Sequence, residues 1–170
     1  MDWISFYDFK HSVIYVNARH RDVHYRVIAE DIRNHVPSPT AQVLDYGCGE
    51  ATSAALLADA CGHLTMVEAA PNVRAALKER YAGNAKISVL TPDEAKAKPA
   101  GTFDLIILHS VAQYLTADEL KGMMATFRRL LKPSGIFVLG DIVPPKMASV
   151  WATKRRISRP LCRRSHSRAV

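Results

Sequence analysis

A glycine turn directly after a short apolar strand is the feature that most constrains this chain. Residues 43–49 read Val-Leu-Asp-Tyr-Gly-Cys-Gly, so a predicted strand ends near Asp45 and the chain then turns through Gly47 and Gly49. Because glycine has no Cβ, the backbone can turn sharply there and approach a ligand closely. A second predicted strand leads into Glu68, about 20 residues after the glycines. This arrangement is how an α/β sheet holds an adenosine ribose.

The residues around the turn distinguish between kinds of adenosine cofactor. A dinucleotide site has Gly-x-Gly-x-x-Gly/Ala, whereas the third position here is Thr52. Asp45, two residues before Gly47, would repel a pyrophosphate but would suit a positively charged ligand. S-adenosylmethionine carries a sulfonium and an ammonium group and no phosphate. The sequence therefore favours S-adenosylmethionine, with an NAD(P) or flavin site and a purely structural turn as the alternatives.

Composition and charge narrow the class of protein. The chain has 170 residues, about the size of one domain, and its 48% hydrophobic residues are enough for a core. Its net charge of +7 lies in residues 154–170, which hold seven basic residues and no acid. Residues 1–153 are electrically balanced, so the charge predicts a basic, solvated tail (148–170) rather than a nucleic-acid-binding domain.

The cysteines and apolar segments predict the compartment. Three cysteines are an odd number without a disulfide framework or metal-ligand spacing, so reduced thiols are expected. The first residues lack the apolar segment of a signal peptide, and the longest apolar runs are too short to span a membrane. These features predict a cytoplasmic protein with no membrane span and no bound metal.

The hydrophobic periodicity alternates between helices and strands. Helices are predicted at residues 21–36, 51–61, 71–81 and 116–131. Strands are predicted at residues 42–46, 64–68, 86–90, 103–108 and 136–140. This order predicts an α/β fold: a three-layer, doubly wound and mostly parallel sheet.

Three segments carry a family resemblance, which covers residues 20–145. Residues 44–49 resemble motif I of the class I (Rossmann-like) S-adenosylmethionine-dependent methyltransferases. Residues 103–109 resemble the fourth-strand motif of that family, and residues 130–136 resemble its loop into strand five. The resemblance implies that the chain binds S-adenosylmethionine and transfers its methyl group.

The resemblance also implies roles for residues at the strand ends. The backbone of Gly47, Cys48 and Gly49 would lie against the methionine part of the cofactor. Glu68, followed by Ala69, would accept both ribose hydroxyls, because a carboxylate can accept two donors at once. These expectations, together with Asp45, define the predicted cofactor site.

Two further strand ends have roles that the sequence leaves open. Asp93 and Glu94 follow strand three, where the family contacts the adenine amino group, but they could equally cap a short helix. His109 and Ser110 follow strand four and would border the transferable methyl group. The catalytic residue is left open, with His109 and Asp141 as candidates and with His11, His20 and His24 as further possibilities.

The sequence predicts only the chemical class of the methyl acceptor. Methyltransferases of base amines carry Asn/Asp-Pro-Pro-Tyr after strand four, whereas this chain has residues 109–112, His-Ser-Val-Ala. A small-molecule or lipid-like acceptor is therefore predicted, and nucleic acid is disfavoured. Tyr46 and Tyr114 could face the sulfonium through their rings, but Tyr114 is expected in the core. Residues 1–36 are predicted to form a helical lid on the cofactor domain, residues 37–147.

The resemblance stops before the family's last two strands. Residues 142–170 lack the alternation of a strand hairpin, so the fifth strand is expected to form an exposed edge. A homodimer through this edge, or completion by a partner strand, would cover it. The change in composition near Ala148 suggests a truncated or frame-shifted reading frame. A cofactor-binding remnant without turnover is therefore the alternative to an enzyme, and an NAD(P)-dependent oxidoreductase is the second.

Overall fold

The computed structural model describes residues 3–10 and 15–142. His11 and the basic tail lie outside these residues. The helices are α1 (Trp3–Lys10), α2 (Ala18–Arg33), α3 (Ala54–Ala60), α4 (Pro71–Arg80), α5 (Pro92–Lys96) and α6 (Ala117–Leu130). The strands are β1 (Gln42–Tyr46), β2 (His63–Val67), β3 (Ile87–Leu90), β4 (Phe103–His109) and β5 (Leu131–Gly140).

The five strands form one parallel sheet in the order β3-β2-β1-β4-β5. The central strand β1 pairs with β2 on one side and β4 on the other, so the strand order reverses between β1 and β4. In an open α/β sheet, ligands bind outside the carboxyl ends of the strands at such a switch point. The prediction of a doubly wound parallel sheet is confirmed.

Alternate side chains of the buried strands contribute to two cores, one on each face of the sheet. Val43, Leu105 and Ile107 pack against α2, α3 and α4, whereas Leu44 and Ile106 pack against α5 and α6. Strands that are covered on both faces are expected to be apolar throughout, as β4 is. The alternation also directs Asp45 and His109 toward the face that α2 covers, because each is two residues after a residue of the first core.

The boundaries and inner faces of two helices differ from the prediction. Helix α2 starts at Ala18 rather than residue 21, because the Asn17 side chain accepts a hydrogen bond from His20 N and caps the first turn. Val23 and Val27, expected on its inner face, are 40% and 56% exposed. Helix α3 starts at Ala54 rather than residue 51, because the chain at Ala51 has φ +37°, outside the helical region.

Strand β5 starts at Leu131, where a turn was predicted for Lys132-Pro133-Ser134-Gly135. The pairing with β4 shifts register between Phe103, which pairs with Leu131, and Leu105, which pairs with Ile136. Residues 132–135 therefore form a bulge within β5. The Asp104 carboxylate holds the bulge in place. It accepts hydrogen bonds from Lys132 Nζ and from Gln42 N, each at 2.8 Å.

Replacing Asp104 with alanine is expected to destabilise the fold by about 1–3 kcal/mol, because the part-buried Gln42 N–H and the Lys132 ammonium lose their acceptor. Burial raises the pKa of Asp104, but these two donors outweigh it and lower the pKa overall. The contribution of Asp104 is therefore present above about pH 4 and is lost as the pH falls further. Urea unfolding at pH 7 and pH 3 measures it. Asp104→Asn, which keeps an acceptor for Gln42 N, should be affected less; equal losses would contradict this account.

Strand β5 lies at an edge of the sheet among the described residues. Ile136 and Leu139 are 41% and 39% exposed, as expected for an apolar strand covered incompletely. Strands β1, β2 and β4, by contrast, are paired on both sides. The buried part of the sheet, with strands paired on both sides, is thus the part whose carboxyl ends carry the predicted site.

Candidate functional site

A cavity of about 450 Å³ opens at the carboxyl ends of the strands, under helices α1 and α2. Its volume is typical of a site for a small molecule or cofactor. It collects residues from the ends of β1, β2, β4 and β5. Of the predicted site residues, those that line it are Asp45, Gly47, Cys48, Gly49, Glu68, Ala69, His109 and Asp141.

The glycine turn forms the floor of the cavity. Gly47 and Gly49 have φ +75° and +59°, a left-handed conformation that disfavours other residues. A Cβ on Gly47 would lie 2.4 Å from Val111 Cγ2, so this position also requires glycine for space. Gly47 N donates to Val67 O at 2.8 Å, which joins the turn to the end of β2. The turn is therefore fixed in shape before any ligand binds.

The Glu68 side chain is 5% exposed and oriented by two backbone donors. Oε2 accepts from Gly49 N at 3.0 Å, and Oε1 accepts from Ala70 N at 2.8 Å. Arg74 braces the same segment, since its Nη1 donates to the carbonyls of Glu68 and Ala69 at 2.8 and 3.0 Å. The carboxylate thus joins the glycine turn of β1 to the end of β2.

The Asp45 carboxylate lies at the end of β1 without a hydrogen bond or an ion pair to any described residue. Burial, and secondarily the negative charge of Glu68, raises the pKa of Asp45 to about 7. Burial, Asp45 and Glu68 also raise the pKa of the Cys48 thiol well above its usual value. A protonated thiol in this position is not a nucleophile.

The cavity lining has an excess of acceptors over cations. Three carboxylates line it, and no Lys or Arg does among the described residues. The Oε1 atom of Gln113, a further lining residue, is buried and has no hydrogen-bond donor in the described part of the chain. A ligand with positive charge and several N–H or O–H donors would satisfy these groups, whereas a phosphate would be repelled.

A hydrogen-bonded chain joins the ends of β4 and β5. Ser110 Oγ donates to Asp141 Oδ2 at 2.6 Å and lies 2.9 Å from His109 Nδ1. Burial lowers the pKa of His109; nearby His24 lowers it further, and Asp141 and Asp31 oppose this effect. The structure thus brings together the two candidate catalytic residues through Ser110, although His109 and Asp141 are 32 positions apart.

Helices α1 and α2 cover the cavity. The Tyr7 hydroxyl donates to the Tyr114 hydroxyl at 2.7 Å, and Asp8 accepts from Asn72 N and Nδ2 at 2.6 and 2.9 Å. The prediction that Tyr114 belongs to the core is wrong: it is 39% exposed and lines the cavity, because Tyr7 and not the core takes its hydroxyl.

Asp93 and Glu94 do not line the cavity. Thr91 and Glu94 form a capping box: Glu94 Oε2 accepts from Thr91 N at 2.7 Å, and Thr91 Oγ1 accepts from Glu94 N at 3.2 Å. This geometry supports the helix-cap alternative for Glu94. Pro92, between them and β3, does reach the lining.

Three residues of the site were not predicted from the sequence. The Tyr25 hydroxyl accepts from Glu50 N at 3.0 Å, and the Tyr81 hydroxyl donates to Ala51 O at 2.6 Å, so tyrosines from α2 and from the end of α4 fix the glycine turn. Gln113 reaches the cavity from the 3₁₀ turn at Ala112–Tyr114. No local pattern marks the two tyrosines, because each binds a backbone group 25 or 30 residues away in the chain.

Replacing Tyr7 with phenylalanine is expected to weaken S-adenosylhomocysteine binding about three- to tenfold, because one net hydrogen bond of about 1 kcal/mol holds α1 against Tyr114. Calorimetric titration measures the change. Tyr114→Phe removes the same hydrogen bond from the other side and is the matched control. The account is contradicted if the two variants differ markedly or if their combination loses more than either alone.

Comparisons with known proteins agree with the geometry. The sheet order and the cavity at the switch point define a Rossmann-like fold, and residues 43–135 match the methyltransferase-domain family. This chain therefore belongs to that family, within the class I S-adenosylmethionine-dependent methyltransferases. The family prediction is confirmed.

Three individual relatives share between 19% and 34% sequence identity with this chain. Nocamycin O-methyltransferase of Saccharothrix syringae is 34% identical over 135 residues, covering 75% of this chain and 48% of that protein. A solved Pyrococcus horikoshii protein has TM-score 0.70 at 19% identity, covering 91% and 72% of the two chains. Phosphoethanolamine N-methyltransferase 1 of Haemonchus contortus, solved with S-adenosylhomocysteine, has TM-score 0.65 at 20% identity, covering 81% and 30%. At these identities the two structures establish the fold.

The chain spans 36% to 56% of the length of the curated relatives that it matches. Within residues 3–10 and 15–142, no helix is both long and apolar enough to cross a membrane. In the same residues, no cluster of three or more His, Cys, Asp or Glu side chains has a metal-binding arrangement.

Proposed function

We propose that this chain binds S-adenosylmethionine and transfers its methyl group to a small-molecule or lipid-like acceptor. The observation that carries the proposal is the cavity lining, in which the unpaired Asp45 carboxylate and the oriented Glu68 carboxylate flank a glycine turn without any basic side chain from the described residues. A cationic adenosine ligand fits such a lining, and an NAD(P) pyrophosphate does not. This difference disfavours the oxidoreductase alternative.

Different residues would bind different parts of the ligand. Glu68 would accept the ribose hydroxyls, with Ala69 beside it, and the turn at Gly47–Gly49 would lie against the methionine part. Asp45 and the Gln113 carbonyl oxygen would face the ammonium group. S-adenosylmethionine supplies an activated methyl group, so the protein needs mainly to position the acceptor and exclude water. Helices α1 and α2, the lid of residues 1–36, would exclude that water.

Calorimetric titration with S-adenosylhomocysteine tests the cofactor assignment. We expect a micromolar dissociation constant and no competition by millimolar NAD⁺. Folding is checked on the same sample by thermal unfolding. A folded protein that fails to bind S-adenosylhomocysteine, or that binds NAD⁺ instead, would contradict the proposal.

The second candidate function is cofactor binding without turnover by the chain alone. It is favoured by the exposed Ile136 and Leu139 on β5, which a second copy or a partner strand would cover. Light scattering measures the oligomeric state, and conversion of S-adenosylmethionine in the presence of acceptors measures turnover. A homodimer that Leu139→Lys dissociates would support pairing through β5, and a monomer would contradict it.

A cytoplasmic location is the remaining part of the proposal. It is supported by Cys48 and Cys61, which are buried and form no disulfide, because unpaired cysteines are typical of proteins in a reducing compartment. Cell fractionation with a cytosolic marker tests the location.

A further inference from the structure

We propose that His109 is the general base of this site, that Ser110 and Asp141 fix its tautomer, and that the acceptor is therefore an aromatic hydroxyl. The inference rests on the proposed function and deepens it, because it assigns the acceptor atom. It rests on the direction of the hydrogen bonds, on the place of His109 relative to the cofactor end of the site, and on the aromatic rings that line the same cavity.

The direction of the hydrogen bonds follows from the number of protons. An ionised carboxylate only accepts, so the hydrogen of Ser110 Oγ is given to Asp141 Oδ2 at 2.6 Å. A serine has no second hydrogen, and His109 Nδ1 at 2.9 Å must therefore be the donor. In a neutral imidazole, a proton on Nδ1 leaves Nε2 as an acceptor. Nε2 has no hydrogen bond to any described residue and belongs to a ring that lines the cavity.

The backbone is shaped to hold this arrangement. Ser110 and Asp141 have φ +58° and +49°, an unfavourable region for residues other than glycine, and Ser110 N donates to Gly140 O at 3.1 Å. Such strain costs about 1–3 kcal/mol per residue and is concentrated at functional sites. The His109 ring packs on Gly140, where a Cβ would lie 2.4 Å from its Cδ2. The imidazole is thus fixed from below by Gly140 and from the side by Ser110.

The sheet order places His109 beyond the methionine end of the cofactor. Glu68 is at the end of β2, the glycine turn follows β1, and His109 ends β4. Neighbouring strands are about 4.8 Å apart, so β4 lies roughly 10 Å across the sheet from the ribose position. A ligand that extends from Glu68 across the turn therefore directs its sulfonium end toward His109.

The chemistry of the base selects the acceptor. An uncharged amine can attack a methyl group before it loses a proton, whereas a hydroxyl must lose its proton as the new bond forms. Burial lowers the pKa of His109, which keeps the ring neutral and able to accept that proton at neutral pH. Aromatic rings line the same cavity: the Tyr15 ring lies 5.5 Å from that of His24 and 6.0 Å from that of Tyr25. Such a surface suits a planar acceptor.

The reaction then balances as a displacement. The acceptor O–H bond breaks and its proton moves to His109 Nε2. The acceptor oxygen forms the bond to the methyl carbon, and the carbon–sulfur bond breaks with its electron pair left on sulfur. The products are the methyl ether, S-adenosylhomocysteine and one proton, which the imidazolium returns to solvent.

The tautomer is tested by long-range ¹⁵N–¹H correlation spectra of the protein with S-adenosylhomocysteine bound, with His109→Gln to assign the signals. We expect an Nδ1–H tautomer in the wild type and its loss in Ser110→Ala. Asp141→Asn, which keeps an acceptor oxygen for Ser110, is the matched control and should retain it. An Nε2–H tautomer in the wild type, or a tautomer unaffected by Ser110→Ala, would overturn the relay.

The acceptor class is tested with p-cresol and p-toluidine, which differ only in bearing a hydroxyl or an amine. We expect methylation of p-cresol and a 10²- to 10⁴-fold lower kcat in His109→Gln, with S-adenosylhomocysteine affinity unchanged within twofold. Transfer to p-toluidine alone, transfer independent of His109, or no transfer to either by a protein that binds S-adenosylhomocysteine would overturn the hydroxyl assignment. Loss of S-adenosylhomocysteine binding in the wild type would instead refute the proposed function.

Discussion

Glu68→Ala is expected to weaken S-adenosylhomocysteine binding by 10²- to 10⁴-fold. Two hydrogen bonds from ribose hydroxyls to a charged acceptor contribute about 1.5–3 kcal/mol each. The variant is also expected to be less stable, because Gly49 N and Ala70 N lose their acceptor. Calorimetric titration and urea unfolding measure the two effects separately.

A ligand variant separates direct binding from damage to the turn. An S-adenosylhomocysteine analogue without the 2′- and 3′-hydroxyls should bind the wild type as weakly as the natural ligand binds Glu68→Ala. It should lose little further affinity in the variant, as a double-mutant cycle requires for groups in direct contact. Glu68→Gln, which keeps one acceptor oxygen, should fall between. Additive losses would show that Glu68 acts only by shaping the turn.

Much of the fold was predictable because local patterns and long-range packing agree in the buried sheet. Strand β1 was predicted to the residue, and the capping box of α6 is present as predicted, with Thr116 and Glu119 bonded reciprocally. The errors lie where a tertiary contact outweighs a local signal. Residues 132–135, predicted as a turn, are a bulge within β5, where Lys132 binds the Asp104 carboxylate, and regular pairing with β4 starts at Ile136, as predicted. Val23 was expected inside, although the burial of Ile32 and Ala29 rotates α2 away from it.

The site was predictable to the extent that it lies at strand ends. Asp45, Glu68 and His109 each end or follow a strand, so the sheet alone brings them together. The relay from His109 through Ser110 to Asp141 was not predictable, because it depends on side-chain directions and on two left-handed residues that no sequence pattern marks. Both tyrosines that fix the glycine turn were missed for the same reason.

Asp45→Asn is expected to have opposite effects on stability and on binding. The folded-state pKa of Asp45, about 7, is above its value of about 3.9 in an unfolded chain. The folded protein therefore binds the extra proton between these values, and wild-type stability falls as the pH rises from about 4 to about 7. The side chain of Asn at position 45 does not ionise between these pH values. At pH 8 it should be more stable than the wild type, and at pH 4 the two should be similar, as thermal unfolding would measure.

The affinity for S-adenosylhomocysteine should change with pH in the direction opposite to stability. The ammonium group of S-adenosylhomocysteine favours ionised Asp45, so wild-type affinity for this ligand should increase with pH up to about 7, by at most tenfold per pH unit, and then level off. At pH 8, Asp45→Asn should bind tenfold to a hundredfold more weakly, because the carboxylate opposite the ammonium is gone. The other groups of the site and the ligand's own amino group are the same in both proteins, so their effects are common to both profiles.

The difference between the two pH profiles of binding therefore isolates Asp45. If the profiles were parallel, the carboxylate would not face the ligand's charge, and its raised pKa would reflect burial alone. If Asp45→Asn instead bound more weakly and were also less stable at pH 8, the carboxylate would hold the turn rather than the ligand. An Asp45→Asn variant that is more stable but binds more weakly is what we expect of a group retained for function. The reason is that an unpaired buried charge does not stabilise the fold until a positively charged group of the ligand binds beside it.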